Sequence, residues 1–252
     1  MVSRIVIDPF ALSAGLAAGL ILGSFVNTVA DRLPSGGSLI RPRSHCPGCE
    51  RTLAPWELIP VLSFILLRGR CRTCGRPVGW RTPSVELAAG LLGALVTLKL
   101  GLTISAAGLG ILVLGLLALG IIDLEKGLLP DTLTWPLMAG GLAWSWAGGP
   151  GLGWSALGLV VCGGMVWSVG LAYRLLRGYP GLGGGDPKMA ALLGAWLGAE
   201  VGLLALVSGA GAGALYGLTL VALGRAGLKT SLPLGPFLAF SGVVWSLLRW
   251  PF

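Results

Sequence analysis

The sequence predicts an all-α, polytopic membrane protein of about eight transmembrane helices that carries a small cytoplasmic, zinc-binding insert. Three observations predict it. Of the 252 residues, 54% are hydrophobic and only 11% charged, whereas a soluble domain carries about 25% charged residues. Long apolar runs recur through most of the chain, and the mean hydropathy is +0.85, which points to a bilayer as solvent. One segment, 31–83, breaks this pattern with Arg, Pro and four of the five cysteines.

The apolar segments lie at 10–30, 84–101, 103–122, 133–148, 152–176, 187–199, 201–224 and 234–249. Several are shorter than the ~20 residues of a straight span. The weakest boundary is at Glu200, where 187–224 reads as two short spans or one broken helix. Charge placement favours two. Half of the 18 Lys and Arg residues fall between Arg32 and Arg81, so that loop is expected in the cytoplasm and the N-terminus outside. Alternation then places Lys126, Arg174, Arg177, Lys188, Arg225 and Lys229 inside and leaves only Arg4, Lys99 and Arg249 outside. A single span at 187–224 would send Arg225 and Lys229 to the wrong side. Trp144, Trp146 and Trp154 gather at the expected outer turn, as an interfacial aromatic belt does. Residues 1–30 read as the first transmembrane helix and not as a cleaved signal, because the apolar stretch is long and a basic loop follows directly. The domain organisation expected is therefore 1–30 as first helix, 31–83 as insert and 84–252 as a polytopic core. The 43 glycines mark close helix packing. The net charge of +8 reads as membrane orientation and not as a nucleic-acid surface.

Within the insert, "CPGC" (Cys46, Cys49) and "CRTC" (Cys71, Cys74) form a C-x2-C-x21-C-x2-C pattern. Two such knuckles bring four thiolates to a tetrahedral zinc ion, and an all-cysteine set leaves no open position, which makes the site structural. Two disulfides are the other reading; a reducing cytoplasm disfavours them. His45 is a substitute ligand or an ordinary loop residue. Cys162, alone in an apolar span, reads as a small packing residue.

Acidic residues number ten, and two sit where an apolar span meets the cytoplasmic face. Asp123 ends the third span in "LALGIIDLEKGLLPDTLT", and Asp186 opens the sixth in "GLGGGDPKM". The topology puts both on one side at similar depth. Two carboxylates held close share a proton, so one can activate a water while the other polarises a carbonyl, as in an aspartic protease. Solvated loop carboxylates and a transporter's proton relay are the alternatives. The glycines do not make a nucleotide loop: Pro187 precedes Lys188 where G-K is required, and Asp186 takes the last position of a G-x-G-x-x-G. Gly183, Gly184 and Gly185 let a backbone approach a carboxylate closely, and Pro187 suits a first helical turn. Lys188 and Asp186 point different ways on a helix; Lys188 meets lipid headgroups, substrate or the pair, or serves as a positive-inside anchor.

These residues resemble a known family. Gly183, Gly185 and Asp186 with Lys188 resemble the signature of the GxGD intramembrane aspartic proteases, and the remainder resembles the bacterial type IV prepilin peptidases. "GSFVNTVADRLP" (Gly23 to Pro34), the paired CxxC insert, "PSVELAAG" (Pro83 to Gly90), "IDLEKGLLPDTLT" (Ile122 to Thr134) and "PLGPFLAF" (Pro233 to Phe240) occur in the family's order. The resemblance covers nearly the whole chain. Pro187 and Met189 depart from the residues common after the GxGD. The resemblance implies an enzyme of the bacterial inner membrane that cuts the basic leader of prepilins and pseudopilins on the cytoplasmic side. It also implies N-methylation of the new amino terminus with S-adenosylmethionine. Asp123 and Asp186 match the family's catalytic positions; Asp131 ranks second. The sequence itself yields no methyl-donor site. Glu86, the one acid at the start of the second span, is a functional residue or a helix N-terminal charge.

Overall fold

The computed structural model describes residues 8–179, 181–225, 227 and 232–250. Arg4 and Lys229, two of the charges used above to orient the chain, lie outside the described residues. The chain divides into two units, Met1–Gly110 and Ile111–Phe252. Among the described residues all regular structure is helical, apart from two isolated β-bridges in the insert.

In the first unit, α1 (Pro9–Arg32) starts at Asp8, whose carboxylate accepts the Phe10 N–H at 3.0 Å, with Pro9 in the first turn. This is a standard N-cap with proline at a position that needs no N–H. The glycines Gly15, Gly19 and Gly23 recur every fourth residue on one face. They meet α3 (Arg81–Leu100) at backbone distance: a Cβ on Gly19 would lie 2.9 Å from the Gly90 Cα, and one on Gly23 would lie 2.8 Å from the Glu86 Cα. The glycine repeat is thus a small-residue helix-packing seam. Between these helices the chain forms the insert, with one short α-helix, α2 (Leu62–Leu66), and two 3-10 turns, Leu33–Ser35 and Pro55–Leu58.

The second unit comprises most of α4 (Ile104–Lys126), α5 (Asp131–Ala147), α6 (Leu152–Arg177), α7 (Asp186–Ala222) and α8 (Gly235–Arg249). On α4, Leu112, Leu116, Leu119 and Ile122 are wholly buried along one stripe. Asp123 lies four residues beyond Leu119 and so continues that stripe. The helix α7 is two arms. Gly198, at φ 75° and ψ 178°, interrupts it, and a Cβ on Gly202 would lie 2.9 Å from the Cα of Gly194. In a straight helix those residues stand about 12 Å apart, so the chain reverses at Gly198. The break falls two residues before the Glu200 boundary expected from sequence, because that backbone conformation is essentially reserved for glycine. Each of the eight apolar segments is therefore a helix or an arm of α7. Among the described residues, five helices are long and apolar enough to cross a membrane: α1, α3, α4, α6 and α7. Trp146 and Trp154 are exposed, as an interfacial belt requires, but Trp144 stacks on Trp250 at 5.5 Å.

The arm 186–197 is buried on nearly every side, which is why its apolar residues show no one-faced pattern. It is about 18 Å long, against about 39 Å for the 26-residue α6. The difference is taken up by the segment before Asp186, which runs back along α6. A Cβ on Gly170 would lie 3.6 Å from Leu182, and one on Gly163 would lie 3.3 Å from the Pro187 carbonyl. Pro187 is thus level with a residue about 21 Å short of the end of α6. Non-helical backbone at such depth is tolerated only where protein surrounds it or it lines a wet cavity.

Candidate active site and cysteine centre

Asp123 and Asp186 are both buried in the second unit, at 6% and 7% exposure. Asp123 and Asp186 lie near enough for their charges to interact, so the fold brings into one electrostatic neighbourhood two carboxylates that lie far apart in the chain. Each is anchored through one oxygen. Asp186 Oδ2 accepts the Gly183 N–H at 2.9 Å, and Asp123 Oδ2 accepts the Gly235 N–H at 2.9 Å. Asp186 opens α7 and Gly235 opens α8, so both carboxylates sit at the positive ends of helices. That offsets part of the cost of burying them.

The glycines act here through close approach. Gly183 and Gly185 do not have positive φ. A Cβ on Gly183 would lie 3.2 Å from Asp186 Oδ2, and one on Gly185 would lie 2.8 Å from the Leu129 side chain on the α4–α5 connection. Gly184 faces open space. Lys188 turns away from the pair, as its spacing predicts, and its ammonium binds the Asp131 carboxylate. Asp131 is exposed and opens α5, so the structure puts it with Lys188 and not with Asp123. Gly235 is the residue the sequence reading missed, although "PLGPFLAF" pointed to its segment; no local signal shows that its N–H reaches back 112 residues to Asp123.

In the insert, all four sulfurs of Cys46, Cys49, Cys71 and Cys74 lie within 4.8 Å of one another. The Cys46–Cys74 and Cys49–Cys71 separations are 3.7 and 4.0 Å. A tetrahedral zinc with 2.3 Å bonds needs about 3.8 Å between sulfurs, so the donor set fits that ion and excludes disulfides, whose sulfurs stand about 2.0 Å apart. The two knuckles are built alike. His45 bridges Thr52 and Arg70 bridges Pro77, and Cys46 and Cys71 each accept the N–H four residues on, at Glu50 and Gly75. Both of those residues have positive φ, 54° and 69°. "CPGCER" and "CRTCGR" are therefore one motif used twice, a repeat too short to stand out in sequence. Backbone N–H groups of Cys74 and Thr73 hold the Cys71 thiol down to about 6, and those of Gly48 and Cys49 lower Cys46, which favours the thiolate that a metal requires; against the Arg76 N–H, burial and the neighbouring cysteines push Cys74 up to about 11. His45 Nδ1 instead faces the Arg43 carbonyl, and Cys162 is fully buried against Gly202.

Behind the first knuckle, Arg51 clasps Glu57 in a bidentate pair at 2.7 and 2.8 Å. With the Ala54 N–H it holds the Glu57 carboxyl down to about 2. Glu86, 5% exposed, accepts the Val61 N–H at 2.7 Å. Val61 is at φ 60°, an outlying conformation for a β-branched residue.

The Bacterial Peptidase A24 N-terminal domain matches residues 17–100, and the Type IV leader peptidase family matches residues 110–218. Three proteins named Prepilin leader peptidase/N-methyltransferase illustrate the similarity. That of Burkholderia pseudomallei (strain K96243) is 38% identical across 96% of this chain and 86% of its own length. That of Stutzerimonas stutzeri is 36% identical across 96% and 91%, and that of Aeromonas hydrophila 37% across 92% and 88%. No solved structure matches. With two family domains matched in succession and relatives of this identity aligned over almost all of its length, the chain belongs to the type IV leader peptidase family.

Proposed function

We propose that this protein is a membrane aspartic endopeptidase that removes the leader of type IV prepilins and pseudopilins and N-methylates the amino terminus it exposes. The observation that carries the peptidase reading is the buried pair Asp123 and Asp186, each fixed by one backbone N–H and each with its second oxygen uncommitted to a backbone donor. The chemistry asks for one ionised and one protonated carboxyl. The ionised member takes a proton from water, the resulting hydroxide attacks the scissile carbonyl carbon, and the protonated member donates to the carbonyl oxygen. Fixing both carboxylates from the backbone leaves little to reorganise during the reaction. Gly183, Gly184 and Gly185 keep side chains off the approach to Asp186, and Lys188 holds the start of α7 to α5 through Asp131.

Cys46, Cys49, Cys71 and Cys74 would hold one structural zinc ion, which would fix the fold of the insert, residues 31–83. The methyl donor would be S-adenosylmethionine, which supplies an electrophilic methyl group on sulfur. The concentration of Lys and Arg in the insert supports an inner-membrane orientation with the N-terminus outside and the insert and aspartates facing the cytoplasm. Nothing in the family similarity supports the transporter reading of the same two acids.

The test is processing of a pilin-like precursor by protein reconstituted in lipid vesicles. Asp123→Asn and Asp186→Asn preserve shape and the N–H contacts, and each should slow cleavage by about 10²–10⁴-fold, the range for losing one acid–base group. Equal processing by both variants and wild type removes the pair from the mechanism. Metal analysis of the purified protein should return about one zinc per chain.

A further inference from the structure

The peptidase chemistry uses only the second unit. The first unit holds a cavity of about 390 Å³ enclosed by α1, α3 and the insert, within the range of pockets that take small ligands. We propose that this cavity is the methyl-donor site, that Glu86 faces the donor's sulfonium, and that Asn27 accepts a hydrogen bond from one of its N–H groups. The proposal rests on the N-methyltransferase reading above and gives it a location.

Charge singles out Glu86. Two other acids line the cavity, but Asp31 is paired with Arg81 and Glu57 with Arg51. Glu86 has no cationic partner among the described residues; it accepts the Val61 N–H at 2.7 Å and a bond from the Ser24 hydroxyl, both neutral donors that leave its charge uncompensated. A buried carboxylate without a counter-ion is costly, and a cationic ligand would supply the missing charge. Asn27 gives a second, independent sign. It is 6% exposed and spends its amide N–H on the Thr82 carbonyl at 3.1 Å, while its Oδ1 is buried without a hydrogen bond. An unsatisfied buried acceptor in the wall of a cavity asks for a donor from an occupant.

The remaining wall suits the rest of such a molecule. Leu53, Leu58, Phe64 and Val78 offer an apolar surface for a nucleoside base. Arg70 and Arg76 offer cations for an amino-acid carboxylate. Cys46 and Cys71 also line it, so the cysteine centre shapes the cavity. In the transfer, the lone pair of the new α-amine forms the N–CH3 bond as the S–CH3 bond breaks. The bonding pair stays on sulfur as a neutral thioether, and the extra proton on nitrogen leaves to water. Ionised Glu86 would therefore favour the sulfonium donor over the thioether product.

Equilibrium dialysis of the purified full-length protein against radiolabelled S-adenosylmethionine and its thioether product reads this directly. Wild type should prefer the sulfonium by at least tenfold. Glu86→Gln, which keeps an acceptor for Val61, should abolish that preference, and Asn27→Leu should weaken both ligands by about tenfold. Zinc content and thermal midpoint report folding of each variant. An unchanged preference in Glu86→Gln, unchanged affinities in Asn27→Leu, or a wild type that binds neither ligand overturns the proposal. In the last case methyl transfer itself is also withdrawn, while precursor cleavage by Asp123 and Asp186 stands or falls on its own assay.

Discussion

Gly235→Ala tests whether the position of the Asp123 carboxylate, and not merely its presence, carries the peptidase activity. Gly235 donates its N–H to Asp123 Oδ2 at 2.9 Å, and a Cβ there would lie 2.5 Å from that oxygen and 2.8 Å from Cγ. Ordinary contact begins at 3.4 Å, so the carboxylate must withdraw by about 0.9 Å. Asp123 Cβ would also lie 2.9 Å away, so rotation of the carboxylate must be joined by a small shift of α4 or α8; Gly235 is not at positive φ. Alanine is also favoured over glycine in a helix by about 1 kcal/mol, so the fold should hold within about that margin. A displacement near 1 Å in a reacting group costs about a hundredfold, or about 2.7 kcal/mol of transition-state stabilisation. Precursor cleavage in vesicles should therefore fall about 100-fold in kcat/KM with an unchanged thermal midpoint. Gly211→Ala on α7, where a Cβ meets nothing within 4 Å, is the matched control and should cleave as wild type. Cleavage by Gly235→Ala within about twofold of wild type refutes the reasoning.

Gly198→Ala forces a side chain into a conformation at φ 75° and ψ 178°, which costs on the order of 1–3 kcal/mol; a lowered thermal midpoint in detergent checks it, and an unchanged one contradicts the hairpin in α7. In the insert, Glu50 occupies the left-handed position that Gly75 fills in the second knuckle. Glu50→Gly should therefore stabilise zinc retention against a chelator, and Gly75→Ala should weaken it, each by about 1 kcal/mol. Glu57 has a folded pKa of about 2, below its ordinary value of about 4.3. The stability it lends is present above about pH 4.3 and lost as pH falls toward 2. The advantage of wild type over Glu57→Gln in resisting pepsin cleavage of the insert should shrink across that window, and a constant advantage would contradict the assignment.

The sequence carried most of the architecture because its signals were of the kind a bilayer imposes. Spans are long apolar runs, orientation follows Lys and Arg, and a four-cysteine pattern has few stable geometries. The same reasoning expected Asp123 and Asp186 on one side at one level, and in the fold the two are near enough for their charges to interact. What stayed hidden depends on distances between segments remote in sequence. The donation from Gly235 to Asp123, the Lys188–Asp131 pair and the open side of Asn27 leave no mark on periodicity or charge count. The reversal at Gly198 was half visible: charge alternation required a break, but glycine is so common in this chain that no single one announces itself.

The glycines before Asp186 show why residue type alone misleads. Three in a row suggest a flexible loop, yet Gly183 and Gly185 have backbone angles open to other residues. Their constraint is space: Gly183 carries its N–H to the carboxylate and Gly185 lies against Leu129. A rigid, side-chain-free approach to a buried acid suits an enzyme that must admit an extended peptide and a water together. The segment descends along α6 to a level well inside that helix, so on the proposed mechanism the peptide bond would come to the aspartates at that level. On that mechanism the glycine segment would form a side-chain-free floor for the substrate, held in place by the Gly183 N–H on Asp186 and the packing of Gly185 on Leu129.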